Sequence, residues 1–144
     1  MTALDNAQPD TLSHYLCIGC PMGCRLEVET EPDHPSQIVE VRGFSCRRGE
    51  QYAHQEHTEP RRMVTTTVKI DRGIWARVPV KTLEPIPKGQ VKDLCIALRQ
   101  VCLTAPVERG AVVLADALGT GVDVVTSRSM AAATFDNVAG SAVR

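Results

Sequence analysis

The chain has 144 residues, enough for one domain or two small ones with modest cores. Lys and Arg number 16 against 17 Asp and Glu, a net charge of -1 that argues against nucleic-acid binding as its main business. Aromatics make up 3% against 43% hydrophobic, so the core falls to Val, Leu, Ile and Ala, and no apolar run reaches the ~20 residues of a membrane-spanning helix.

Residues 1–13 read as a flexible leader, polar and without the apolar stretch of a secretory signal. That predicts a cytoplasmic protein, with no direct membrane insertion, in a reducing compartment that keeps thiols free. Tyr15-Leu16 leads into Cys17-Ile18-Gly19-Cys20-Pro21-Met22-Gly23-Cys24. Residues 25–30 then alternate, Leu26 and Val28 on one face and Arg25, Glu27 and Glu29 on the other, as in a half-buried strand. Residues 31–36 hold two prolines and compose a turn, and residues 37–42 alternate again. Antiparallel pairing of these strands brings Cys24 close to Cys46, with Gly43, Ser45 and Gly49 supplying bends. Residues 47–57 suit a short polar helix that Pro60 ends.

Residues 63–70 are rich in β-branched side chains and predict a strand. Asp71-Arg72-Gly73 is expected to turn it into a return strand over 74–80, with positive φ at the glycine. Pro79 places that strand at an edge or a bulge. From Pro87, the positions Val91, Leu94, Cys95, Leu98, Val101 and Cys102 form one apolar helical stripe. Residues 111–115 and 122–126 are two further β-rich runs, and residues 129–144 read as a flexible tail. The fold class is therefore α+β. A hairpin module spans 14–60; a second hairpin, one amphipathic helix and a β-rich part make a scaffold and docking module over 61–128.

The spacing of Cys17, Cys20, Cys24 and Cys46, three ligands in one wound loop and a fourth from afar, suits the iron corners of a [4Fe–4S] cluster. Structural zinc more often takes two separated cysteine pairs and stands as the alternative cofactor. A disulfide framework is disfavoured without a secretory signal. Cys95 and Cys102 read as buried small hydrophobes of the helical stripe, and Gly119-Thr120-Gly121 as a plain turn. His54 and His57 read as surface residues, while His14, three residues before Cys17, is a candidate ligand or donor. Arg47, Arg48, Arg61 and Arg62 form the dense basic group, either a solvated face or a group that offsets thiolate charge and steers an acidic partner. No catalytic triad is discernible.

The cysteine stretch resembles the N-terminal iron–sulfur segment of molybdopterin oxidoreductases such as formate dehydrogenase and periplasmic nitrate reductase. The resemblance implies Cys17, Cys20, Cys24 and Cys46 as ligands and sets Arg48 where those enzymes place a basic residue between cluster and pterin. Those enzymes continue for hundreds of pterin-binding residues, so this chain is not expected to be one by itself. Over residues 17–128 it is similar to a small uncharacterised iron–sulfur family, through Cys-x-x-Cys-Pro-x-Gly-Cys, Pro-Arg-Arg-x-Val-Thr-Thr-Thr-Val, Val-Pro-Val-Lys-Thr and Gly-Thr-Gly-Val-Asp-Val-Val. That family is found with flavoproteins similar to anaerobic glycerol-3-phosphate dehydrogenase, which implies an FAD-dependent dehydrogenase subunit as partner. The expected role is a non-catalytic, one-electron relay component of an oxidoreductase complex; the alternative is a structural zinc module that mediates assembly.

Overall fold

The computed structural model describes residues 11–134. Contacts divide the chain into two units that meet in sequence at Arg61 and Arg62. Its class is α+β.

The first unit is a three-stranded antiparallel sheet in the order β1 (Leu12–Leu16), β2 (Arg25–Glu31), β3 (His34–Arg42), with one helix, α1 (Arg47–Thr58). The alternation in β2 acts as its spacing dictates: Leu26, Val28 and Thr30 are buried, and Arg25, Glu27 and Glu29 face outward or lie half-buried. Opposite β2, Arg42 pairs with Glu29 and Glu40 across the outer face. Against the buried face lies α1, whose own buried residues are Gly49 and Ala53. These two small residues, four apart, let the helix approach the sheet closely.

This unit differs from the sequence reading in two places. The turn is only Pro32–Asp33, because residues 34–36 extend β3. Leu12 and Ser13, assigned to the leader, are instead laddered to Glu29 and Val28. Two open faces of β2 backbone need partners, and β1 satisfies the one that a two-strand hairpin would leave bare. The rest of the expected leader, residues 1–10, lies outside the described residues.

In the second unit, following β4 (Arg61–Arg62), come β5 (Thr65–Asp71), β6 (Arg77–Thr82), β7 (Ile86–Pro87), α2 (Val91–Arg99), β8 (Cys102–Thr104), β9 (Val112–Leu114) and β10 (Val124–Thr126). Five of these strands form one sheet in the order β8-β5-β6-β10-β9, parallel only between β5 and β8. Val68 and Ile70 of β5, Val78 and Val80 of β6, Val124 of β10 and Leu94 and Leu98 of α2 make the core.

Four expectations are corrected here. Pro79 sits in a central strand, not at an edge. The β10 ladder stops at Thr126 opposite Val80, so the missing proline donor falls just past its end, where the Pro79 carbonyl still accepts from Ser127 N–H at 2.9 Å. Positive φ falls on Arg72 rather than Gly73, whose absent side chain instead makes room for the Trp75 carbonyl and Met130. The helical stripe ends at Arg99; Cys102 belongs to β8 and is exposed, since pairing with Lys69 in the sheet overrides a spacing that merely stayed in phase. Its thiol lies 3.3 Å from Asp71 Oδ2, and Cys95 is half-buried. Lastly, Met130, assigned to the tail, is buried and paired with Val107, and Ala133 N–H donates to Arg72 O at 2.7 Å. Residues 135–144 of that tail lie outside the described residues. No helix among the described residues is long and apolar enough to cross a membrane.

Candidate metal centre

Cys17 leaves the end of β1 and Cys24 stands just before β2, so the first two strands bring them opposite one another; Cys17 N–H donates to Cys24 O at 2.9 Å. The six residues between form a tight loop, drawn in by Gly23 N–H on the Cys20 carbonyl at 3.4 Å, with Gly23 in the left-handed region. Cys20 is carried on this loop. The chain returns along β3 to Cys46, the N-cap of α1, and Ser45 Oγ stands 3.3 Å from Cys24 Sγ.

All four cysteines line one cavity of about 250 Å³, together with Gly19, Met22, Ser45, Arg48 and Gly49. Two glycines lie beside the Cys17 sulfur, and at Gly49 a neighbouring side chain leaves little room for a Cβ. A Cβ on Gly19 would lie 3.6 Å from Cys17 Sγ, and one on Gly49 would lie 3.8 Å from it and 3.0 Å from Phe44 Cβ. Cys17 is buried, Cys20 and Cys24 half-buried, and Cys46 exposed.

The surroundings favour the ionised thiol at two positions. Backbone N–H groups of Gly49 and Arg48 at the start of α1, with the Arg48 side chain, hold the Cys46 thiol below its ordinary value. Hydrogen bonding from Ser45 does the same for Cys24, against the opposing effect of nearby Cys46.

Among the described residues, no three or more His, Cys, Asp or Glu side chains stand grouped closely enough to hold a metal as they are. Zinc–sulfur bonds of ~2.3 Å would draw four sulfurs to within roughly 4 Å of one another. A four-thiol donor set around one cavity, with backbone N–H groups aimed at the Cys46 sulfur, is one that a multi-iron cluster or a zinc ion takes.

Of the other residues singled out from sequence, Arg48 lines the cavity, whereas Arg47 is exposed outside it and Arg61 pairs with Glu59 at 2.8 Å. His14 does not join the cysteines; it lines a separate groove with Tyr15, Leu16, Arg25, Leu26 and Glu27. His54 is exposed, but His57 is not a free surface residue. Its Nε2 lies 2.7 Å from the Pro35 carbonyl and its Nδ1 lies 2.9 Å from Tyr15 Oη. A carbonyl only accepts, so Nε2 carries the proton and, in the neutral ring, Nδ1 accepts from the Tyr15 hydroxyl. This strap ties the last turn of α1 to β1 and β3, while Cys46 stands at the other end of the same helix. The signal was present in the spacing: Gly49, Ala53 and His57 recur every four residues, on one helical face.

A family model described as "Protein of unknown function (DUF1667)" matches residues 47–128, more than half of the chain, beginning one residue after Cys46. Among curated proteins none matches. A solved structure, the NMR structure of Clostridium perfringens protein CPE0013, is similar at 20% identity and a TM-score of 0.48, covering 57% of this chain and 98% of that one.

Proposed function

We propose, from the premise that this chain belongs to the DUF1667 family of proteins of unknown function, that Cys17, Cys20, Cys24 and Cys46 hold a [4Fe–4S] cluster and that the protein relays single electrons in an oxidoreductase complex. The observation that carries this reading is the convergence of all four thiols on one cavity of about 250 Å³. When bound, such a cluster supplies reversible one-electron transfer. The residues of the chain supply the rest. Cys24 and Cys46 are held toward the thiolate form that a metal requires, by Ser45 and by the start of α1. Gly49 lets the start of α1 pass close to Phe44, where a Cβ would come within 3.0 Å of the Phe44 Cβ. Arg48, hydrogen-bonded to Cys46, offsets the negative charge of the thiolates and thereby favours the reduced state. The resemblance to a family found with glycerol-3-phosphate dehydrogenase-like flavoproteins supports an FAD-dependent dehydrogenase subunit as partner, with the organic chemistry belonging to that subunit. A reducing compartment such as the cytoplasm suits exposed thiols of this kind.

The test is anaerobic purification followed by assay of iron, acid-labile sulfide and zinc. The expected protein is brown, holds iron and sulfide in equal amounts and bleaches with dithionite. Cys46→Ser loses the metal and Cys102→Ser keeps it. Stoichiometric zinc in a colourless protein refutes the relay and establishes the structural zinc module instead; equal loss from both variants refutes the ligand assignment.

A further inference from the structure

We propose that Ser45 is a positioning residue for electron transfer: its hydroxyl donates to the Cys24 sulfur once that sulfur is bound to metal, and so raises the cluster's reduction potential. The inference rests on the relay reading above and assigns one residue to the tuning of that same site. Among the described residues that line the cavity, only Ser45 and Arg48 carry polar side chains besides the thiols. Arg48 is turned to Cys46 and Ser45 to Cys24, so each serves a different sulfur. Ser45 Oγ stands 3.3 Å from Cys24 Sγ, between residues 21 apart in sequence.

The direction of this bond depends on the state of the sulfur. In the metal-free protein the Cys24 thiol has a proton of its own and donates it to Ser45 Oγ. A metal-bound sulfur is a thiolate without a proton, so the bond reverses and the hydroxyl becomes the donor. Among the described residues Ser45 Oγ has no second partner in the chain, so nothing competes for its proton. Its place is fixed from both sides. Gly43, with φ of +82°, lies so close to the Arg25 carbonyl that a Cβ has no room, which holds residues 43–45 beside the residue that follows Cys24. Cys46, the next residue, is the N-cap of α1. The Ser45 main-chain N–H also reaches the Cys24 sulfur, and that bond persists when the side chain is changed.

Reduction adds one electron to the cluster and its thiolates. A donor to sulfur draws on the added negative charge, so it stabilises the reduced form more than the oxidised form. A neutral hydroxyl acts at contact, whereas exposed guanidinium charge acts through solvent and is screened by salt. Ser45 is exposed, so water takes part of the place of a lost hydroxyl and the effect stays below a decade.

The anaerobically purified protein is titrated with dithionite, and the midpoint is read from visible absorbance and electron paramagnetic resonance. Ser45→Ala is expected to lower the ratio of reduced to oxidised cluster about threefold at a given potential, ~30 mV at about 59 mV per decade. Ser45→Thr, which keeps a hydroxyl, returns the parent value. The alanine shift persists at ~0.5 M salt. Ser36→Ala, on an exposed residue of β3 outside the cavity, leaves the midpoint unaltered. Iron and sulfide are measured on every preparation and are expected to be equal in all four. A threonine variant that shifts as far as alanine, an equal shift from Ser36→Ala, or a shift abolished by salt overturns the proposal. Loss of iron from Ser45→Ala does so as well, because the hydroxyl then holds the cluster instead of tuning it. Full iron and sulfide with an unmoved midpoint in Ser45→Ala overturns the tuning role alone. A parent protein with zinc in place of iron overturns the relay reading and this inference with it.

Discussion

Gly43→Ala is the substitution that the geometry condemns most clearly. Gly43 has φ of +82°, and a Cβ there would lie 2.0 Å from the Arg25 carbonyl oxygen and 3.2 Å from its carbon. Ordinary contact needs about 3.5 Å, so the backbones must part by roughly 1.5 Å. The left-handed conformation costs an L-residue about 1–3 kcal/mol. Loss of one or two ladder bonds beside Glu27 and Arg42 adds about 1 kcal/mol each. The gain from a stiffer unfolded chain, about 0.4–1 kcal/mol, does not offset this. A net loss of ~2–4 kcal/mol removes much of the stability of a unit spanning Met1–Arg61, which is on the order of 3–9 kcal/mol. Arg25 follows Cys24 and Gly43 precedes Cys46 by three, so the same displacement parts these two cysteines. Urea unfolding of metal-free protein followed by circular dichroism measures the loss, with Gly89→Ala as the control. A Cβ on Gly89 meets nothing within 4 Å, and its shift should stay under ~0.5 kcal/mol. Unfolding of Gly43→Ala within about 1 kcal/mol of the parent would refute the reasoning.

Two further outcomes follow from the site. In reduced, metal-free protein, Cys24 and Cys46 ionise below the ordinary 9.0 and Cys102, beside Asp71, above it. Near pH 8 the first two should react with iodoacetamide faster than Cys102, because thiolate fraction gains a decade per unit of lowered pKa while nucleophilicity falls by only about half a decade. Their advantage shrinks as the pH is raised through 9.0 and Cys102 ionises as well; site-resolved mass spectrometry reads the order, and a faster Cys102 contradicts it. Replacing His57 with Phe removes two hydrogen bonds and should cost ~1–3 kcal/mol, whereas Tyr15→Phe removes one and should cost ~1 kcal/mol. Urea midpoints compare the two, and a larger loss from Tyr15→Phe would rule out the strap.

The strands and helices most open to sequence reading were those whose pattern is local. The alternation of Leu26 and Val28 was legible because side chains alternate sides along any strand, and both are fully buried. Arg47–Thr58 was legible as a helix because a proline follows it. Cys102 misled because helical phase does not say where a helix stops: Val101 and Cys102 stay in step with Leu94 and Leu98 although the chain has already entered β8. Pro79 misled because a missing donor marks only the lack of a neighbour at that point, and the end of β10 provides that within a central strand. His57 was passed over as a surface residue because its partners, Tyr15 and Pro35, lie 42 and 22 residues away.

The four cysteines, their spacing and the glycines among them were determined by sequence alone. That Cys17 meets Cys24 at the end of a β1–β2 ladder, that α1 points its first N–H groups at Cys46, and that Leu16, Ile18 and Phe44 are exposed at that same end of the sheet were decided only in three dimensions. The reason is physical: covalent order fixes which donors are available within one loop, whereas shared space among distant segments depends on which backbone edges pair and which faces bury.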